Sequence, residues 1–216
     1  MPLSPPVGRQ HLHTRRVTCQ GFFRDDGLWD IEGRITDEKT YEHANEWRGP
    51  LKAGDFVHDM SIRLTLDHKF TIVDVEAVTD KSPYRICGGI APDFKKLIGL
   101  RIGGGFHREV RARLGGVHGC THIVELLGPV ATTAFQTVSS GKARELNRAH
   151  RAKNGSLPAP ATKSMAKPRK PYVIDTCHAW SADGDVVRRW APQFYTGPDA
   201  EAVRAAAEGK EIELDG

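Results

Sequence analysis

The sequence predicts an α+β protein in which an antiparallel three-stranded sheet is followed by packed helices and a C-terminal extension. In the first half of the chain, apolar and polar residues alternate with a period of two. Further on, apolar residues recur every three or four positions. With 216 residues, the chain is also long enough to bury a core without disulfide or metal crosslinks.

The strands are expected at 28–35, 58–66 and 70–78. In the first of them, Ile31 and Ile35 lie on one face and charged residues on the other, which is typical of a half-buried strand. In the second, His58 is in phase with the apolar residues. The short turn-like segment between the second and third strands predicts an antiparallel hairpin.

Helices are expected at 92–98, 106–114, from about 120 to 138, at 141–152, and in the extension at about 198–208. Pro92 suits the first turn of its helix, and apolar residues spaced by four make the second helix amphipathic. The third should kink or restart at Gly128-Pro129, because a proline removes a helical hydrogen bond. The extension also contains a predicted short strand at 172–175.

Composition shifts divide the chain into four segments. We expect an N-terminal arm at 1–14, a main α+β domain at 15–153, a basic Pro-rich linker at 154–171 and a C-terminal extension at 172–216. The linker is rich in Pro, Lys and Arg and cannot build a core.

Charge and hydropathy exclude several classes of function. The net charge is only +4, and the basic excess is concentrated in 142–170. That segment lacks the aromatic residues of a stacking surface, so we do not expect nucleic-acid binding; a protein partner is the alternative. No apolar run is long enough for a membrane span, and no apolar stretch follows the N-terminal charges, so a cytoplasmic protein is expected.

The sequence also limits which cofactors can be expected. Gly103-Gly104-Gly105 lacks the spacing of a dinucleotide fingerprint, so no nucleotide cofactor is expected. In a reducing cytosol, the four cysteines are expected to be thiols or ligands rather than disulfides.

The segment 116–125 carries the strongest chemical signal. It is a glycine-flanked turn that leads into a helix, with Cys120 at the helix N-terminus and His122 two residues on. The helix dipole lowers the pKa of such a cysteine and favours the thiolate. Thiolate and imidazole together suit zinc or an iron–sulfur centre. The candidate metal ligands are His58, Cys87, His118, Cys120, His122, Cys177 and His178. Each of them is also compatible with plain packing or solvent exposure.

The order of these segments resembles the iron–sulfur cluster scaffold proteins. The similarity rests on the strand 59–67, the strand containing Ile72-Val73-Asp74-Val75, the loop that bears Cys87, and His118-Gly119-Cys120-Thr121-His122. The resemblance implies a three-stranded sheet, helices, and ligands from loops and a helix start. The chain departs from the pattern because it lacks a cysteine ahead of the first of these strands. The whole chain also resembles a bacterial family of unknown function with the same Gly-Cys-Thr-His turn.

Three functional hypotheses follow. The first is a metal-binding or sulfur-handling protein with a mixed Cys/His site. The second is a metal-free thiol enzyme in which Cys120 is the nucleophile, His122 or His178 is the base, and Glu125 orients the imidazole. The third is a non-catalytic interaction module that uses its basic segment.

Overall fold

The computed structural model of the protein describes residues 3–156 and 170–209. The chain divides into two compact units, residues 1–157 and 158–216. Most of the predicted basic linker at 154–171 lies outside the described residues.

The N-terminal unit is built on a four-stranded antiparallel sheet in an α+β arrangement. The strands are β1 (His13–Phe23), β2 (Trp29–Lys39), β3 (Phe56–Leu66) and β4 (Ile72–Lys81), and they lie side by side in chain order. The prediction of a three-stranded sheet is therefore wrong. The additional strand is β1, which pairs with β2 along its whole length and begins at the end of the expected N-terminal arm.

The helices are α1 (Phe106–Leu114), α2 (Thr121–Asn154), α3 (Asp185–Trp190) and α4 (Ala200–Gly209). Segments of 3₁₀ helix cover Arg85–Leu97, Gly116–His118, His178–Trp180 and Pro192–Phe194. The first of these takes the place of the α-helix expected at 92–98. The strand expected at 172–175 is wrong, because those residues form turns.

The helix does not restart at Gly128-Pro129, because α2 is continuous through Pro129, and it includes the separate helix expected at 141–152. Pro129 is exposed, whereas Leu127 and Val130 beside it are completely buried. Packing of this apolar face against the sheet compensates for the hydrogen bond that the proline removes.

The core of the N-terminal unit lies between the inner face of the sheet and α2. Ile31 and Leu64 from the strands and Leu127 from α2 are fully buried there. The helix approaches closely at Gly33, where an added Cβ would lie 2.5 Å from a Val130 methyl group. This contact packs the third turn of α2 against the inner face of β2.

The C-terminal unit has a small core of its own, formed by Ile174, Val187, Ala191 and Tyr195. Cys177 is exposed and directly precedes the 3₁₀ segment His178–Trp180. Within the described part of the chain, no helix has both the length and the apolar character needed to cross a membrane.

Candidate metal centre

Three side chains with metal-ligand chemistry meet at one end of the core. The odd-numbered residues of β2 face α2, and this alternation brings Asp37 to the same side as Ile31 and Ile35. Asp37 and His58 are direct partners in the register of β2 and β3. His122 comes from the first turn of α2. One ligand atom from each of Asp37, His58 and His122 lies within 4.8 Å of the other two.

Asp37 is the buried anion of this group, with a side chain only 1% exposed. Its Oδ1 accepts hydrogen bonds from His13 Nε2 (2.9 Å) and Arg15 Nε (2.8 Å). Its Oδ2 accepts from Arg15 Nη2 (3.0 Å) and His58 Nδ1 (3.0 Å). Burial would raise the pKa of Asp37, but the hydrogen bonds from Arg15 and His13 outweigh it and lower the pKa to about 2. The carboxylate is therefore ionised at neutral pH.

The two histidines lie against each other, with ring centroids 3.8 Å apart and ring planes inclined by 32°. Burial lowers the pKa of His58, and the neighbouring His122 lowers it further. Burial also lowers the pKa of His122, and Arg15 contributes in the same direction. Both rings are therefore held in the neutral form, which is the form that coordinates a metal.

Cys120 borders the group without joining it. It is the residue immediately before α2 and is half-buried. Its Sγ lies 4.0 Å from His122 Nδ1 and 3.6 Å from Met60 Sδ. Among residues 3–156 and 170–209, no group of three ligand atoms includes a cysteine.

Arg15 links the buried group to the surface. Two of its nitrogens bind Asp37, while Nη1 donates to Glu125 Oε2 at 3.0 Å. The Glu125 side chain is 56% exposed. Glu125 thus pairs with Arg15, whereas the thiol-enzyme hypothesis assigned it to the His122 imidazole.

The other predicted ligands are not members of this group of three. Cys87 is within the 3₁₀ segment Arg85–Leu97, where its N–H donates to the Tyr84 carbonyl. His118 is exposed at the end of the 3₁₀ turn Gly116–His118. Cys177 and His178 belong to the C-terminal unit.

Sequence reasoning did not identify Asp37 or Arg15, and it discounted His13 as a metal ligand because the arm was expected to be extended. The signal for Asp37 was present, because it continues the alternation of Ile31 and Ile35 by one more step. The predicted strand ended at residue 35 and therefore did not include Asp37. Arg15 was missed together with β1.

Residues 13–136, more than half of the chain, match the family described as protein of unknown function (DUF2889). No curated protein and no solved structure gives a significant match to the chain. The matched stretch contains all four strands, the start of α2 and the three residues of the candidate metal centre. The chain belongs to the DUF2889 family.

Proposed function

We propose that the N-terminal unit binds one divalent transition-metal ion through Asp37, His58 and His122. The observation that carries the proposal is the convergence of three ligand atoms, from two strands and a helix start, to within 4.8 Å of one another. A carboxylate and two imidazoles are a common ligand set for zinc and for non-haem iron(II).

The surroundings of the three residues support this assignment. Ligating carboxylates are commonly held by further hydrogen bonds, and His13 and Arg15 hold Asp37 in this way. On binding, the ion would replace the hydrogen bond between His58 Nδ1 and Asp37 Oδ2. The neutral state of both rings means that little proton release is needed at neutral pH.

The ligand set favours a single ion over an iron–sulfur cluster. Such clusters are held mainly by cysteine thiolates, and the group contains none within the described residues. Three protein ligands would leave at least one coordination position for water or a substrate, which is the arrangement of catalytic zinc sites. We therefore propose a mononuclear, open metal centre.

Zinc titration of chelator-treated protein tests the proposal. We expect the unmodified protein to bind one equivalent, and His122→Asn to lose binding because it removes a ligand. His118→Asn is the matched control, since it lies four positions away on the exposed turn and should leave the affinity unchanged. Circular dichroism and thermal melting establish that each variant is folded.

Two outcomes would contradict the proposal. One is stoichiometric zinc binding that survives in both His122→Asn and His58→Gln. The other is the absence of zinc, iron(II), cobalt(II) and manganese(II) binding by folded, reduced, unmodified protein at micromolar concentrations.

A second candidate function rests on the separation of 4.0 Å between Cys120 Sγ and His122 Nδ1. A thiol beside a neutral imidazole at a helix start is the arrangement of an activated nucleophile. On this hypothesis, metal-free protein is alkylated at Cys120 faster than at Cys87, and His122→Asn abolishes the difference. Equal alkylation rates at the two cysteines would exclude it.

A further inference from the structure

We propose that two copies of the chain pair antiparallel through the outer edge of β1, about a two-fold axis at Thr18, and form one continuous sheet. β1 is eleven residues long and lies at the edge of the sheet, where its inner neighbour is β2. Within the described part of the chain, no strand pairs with its outer side. An exposed strand edge of this kind is a template for a further strand.

β1 lacks most of the features that protect an edge strand from pairing. Natural edges are protected by short length, bulges, prolines or charged side chains, lysine above all. β1 pairs with β2 along its whole length in one unbroken register, and its sequence contains no proline or lysine. Its two arginines are neutralised within the subunit, because Arg15 binds Asp37 at 2.8 Å and Arg16 binds Glu38 at 2.8 Å. The arginine charges therefore do not repel an approaching strand.

The sequence of β1 is complementary to itself, which identifies a second copy as the occupant of this edge. Antiparallel pairing about Thr18 uses the whole strand. It places Arg15 opposite Gly21 of the partner subunit, and Arg16 opposite Gln20 of the partner subunit. Like charges directly opposite each other destabilise a strand pair, and this register contains none. Symmetric dimers, in which the same surface meets itself, are also the commonest oligomers.

The pairing would also cover apolar side chains that β1 leaves exposed. Val17 and Phe22 are each 44% exposed, and Phe23 is 47% exposed. In the proposed register, Phe22 lies opposite Thr14 of the partner subunit, and aromatic side chains opposite β-branched ones stabilise strand pairs. Val17 lies opposite Cys19 of the partner subunit. Removing this apolar surface from water favours the dimer.

The helix above this edge is uncharged where the two copies would approach each other. An added Cβ at Gly21 would meet Thr137 of α2, and the contact at Gly33 lies one strand further in, so α2 lies over β1 and β2. Neighbouring strands are about 4.8 Å apart, which would place the two α2 helices about 10 Å apart, close to the packing distance of helices. Charged residues are depleted at the centres of interfaces. The exposed residues of α2 between 126 and 141 are all uncharged, namely Pro129, Thr132, Gln136 and Ser140.

The test places charge at the two-fold axis. Thr18 is exposed and lies opposite Arg34 of β2, so Thr18→Glu should leave the fold of the subunit unchanged. In the proposed dimer, the two substituted side chains lie directly opposite each other, on Cα atoms about 5 Å apart. We expect sedimentation equilibrium of the full chain to show a dimer for the unmodified protein. Thr18→Glu and Thr18→Lys should each weaken dimerisation roughly tenfold or more, because like charges then oppose each other.

A mixing experiment separates this register from other modes of association. An equimolar mixture of Thr18→Glu and Thr18→Lys should dimerise again, since opposite charges then meet across the axis. Thr18→Gln is the matched uncharged control and should dimerise like the unmodified protein. Circular dichroism establishes that each variant is folded. Slower hydrogen exchange of the β1 amides in the dimer than in dilute protein would support the pairing directly.

Three results would overturn the proposal. The first is an unmodified protein that stays monomeric at high micromolar concentrations; slow exchange of the β1 amides in that monomer would show that another segment of the same chain covers the edge. The second is a dimer that persists in both Thr18→Glu and Thr18→Lys. The third is a mixture of these two variants that stays monomeric while Thr18→Gln dimerises.

Discussion

Asp37→Asn measures how much the negative charge of the buried carboxylate contributes to the free energy of unfolding. It preserves the size of the side chain while removing the charge that Arg15, His13 and His58 surround. The effect on the metal-free protein can be worked out from the pKa alone. We therefore consider unfolding in the presence of a chelator, where ligand binding does not contribute.

The magnitude follows from linkage between protonation and folding. The pKa of Asp37 is about 2 in the folded protein, and that of an unperturbed aspartate is about 3.9. The folded state therefore holds this proton less tightly than the unfolded state. The resulting stabilisation is present above about pH 4 and is lost as the pH falls towards 2. One pKa unit corresponds to about 1.4 kcal/mol, so Asp37 contributes roughly 2.5 kcal/mol at neutral pH.

Urea unfolding at neutral pH and at a series of acidic pH values measures this contribution. We expect Asp37→Asn to lower the free energy of unfolding by about 2.5 kcal/mol at pH 7, with a difference that shrinks below pH 4. Asp93→Asn is the control, because Asp93 is 40% exposed and pairs with Lys96 on the surface. Parallel pH profiles for Asp37→Asn and the unmodified protein would refute the reasoning.

The remaining predictions concern packing and the support of the metal ligands. Gly33→Ala should destabilise the protein by about 1–3 kcal/mol in urea unfolding, since the added Cβ would lie 2.5 Å from a Val130 methyl group; an unchanged unfolding midpoint would be inconsistent with the close approach of α2. Leu64→Ala should cost about 2–5 kcal/mol, because Leu64 is 0% exposed. Ile86→Ala is the control, because Ile86 is 84% exposed, and it should change the free energy of unfolding by about 0.5 kcal/mol or less. Similar losses of stability in Leu64→Ala and Ile86→Ala would contradict the burial of Leu64. His13→Asn should weaken zinc binding roughly 10- to 100-fold, as expected when a hydrogen bond to a ligating carboxylate is lost; complete loss in a folded variant would make His13 itself a ligand.

The fold was predictable where one face of an element is apolar. The spacing of Phe106, Val110 and Leu114 placed α1 correctly, and the alternation that includes Ile31 and Ile35 located β2 but ended it four residues too early. β1 was not predictable on this basis. As an edge strand it is mostly exposed, and most of the residues that face α2 are small, polar or charged, such as His13 and Arg15. β1 is held in the sheet by its pairing with β2. Its own sequence has no apolar alternation that would predict a strand.

The candidate site was predictable only in part, for a related reason. The sequence shows that His58 is in phase with the apolar residues of its strand and that His122 lies at a helix start. Which residues meet depends on the register of β2 with β3, which brings Asp37 opposite His58. Cysteine was the expected chemistry because Cys120 stands out in its glycine-flanked turn, yet the residue that completes the group is an aspartate. Local patterns show the chemistry of a residue but not its neighbours across a sheet.

X-ray absorption spectroscopy of the zinc-loaded protein tests the central claim most directly, because it reports the ligand atoms themselves. Coordination by Asp37, His58 and His122 predicts nitrogen and oxygen ligands at about 2.0–2.2 Å, with the outer-shell scattering of two imidazole rings. His122→Asn should retain no zinc under the same loading conditions, whereas zinc-loaded His118→Asn should keep the imidazole signal. A zinc–sulfur distance of about 2.3 Å, or a spectrum without imidazole scattering, would contradict the proposed centre.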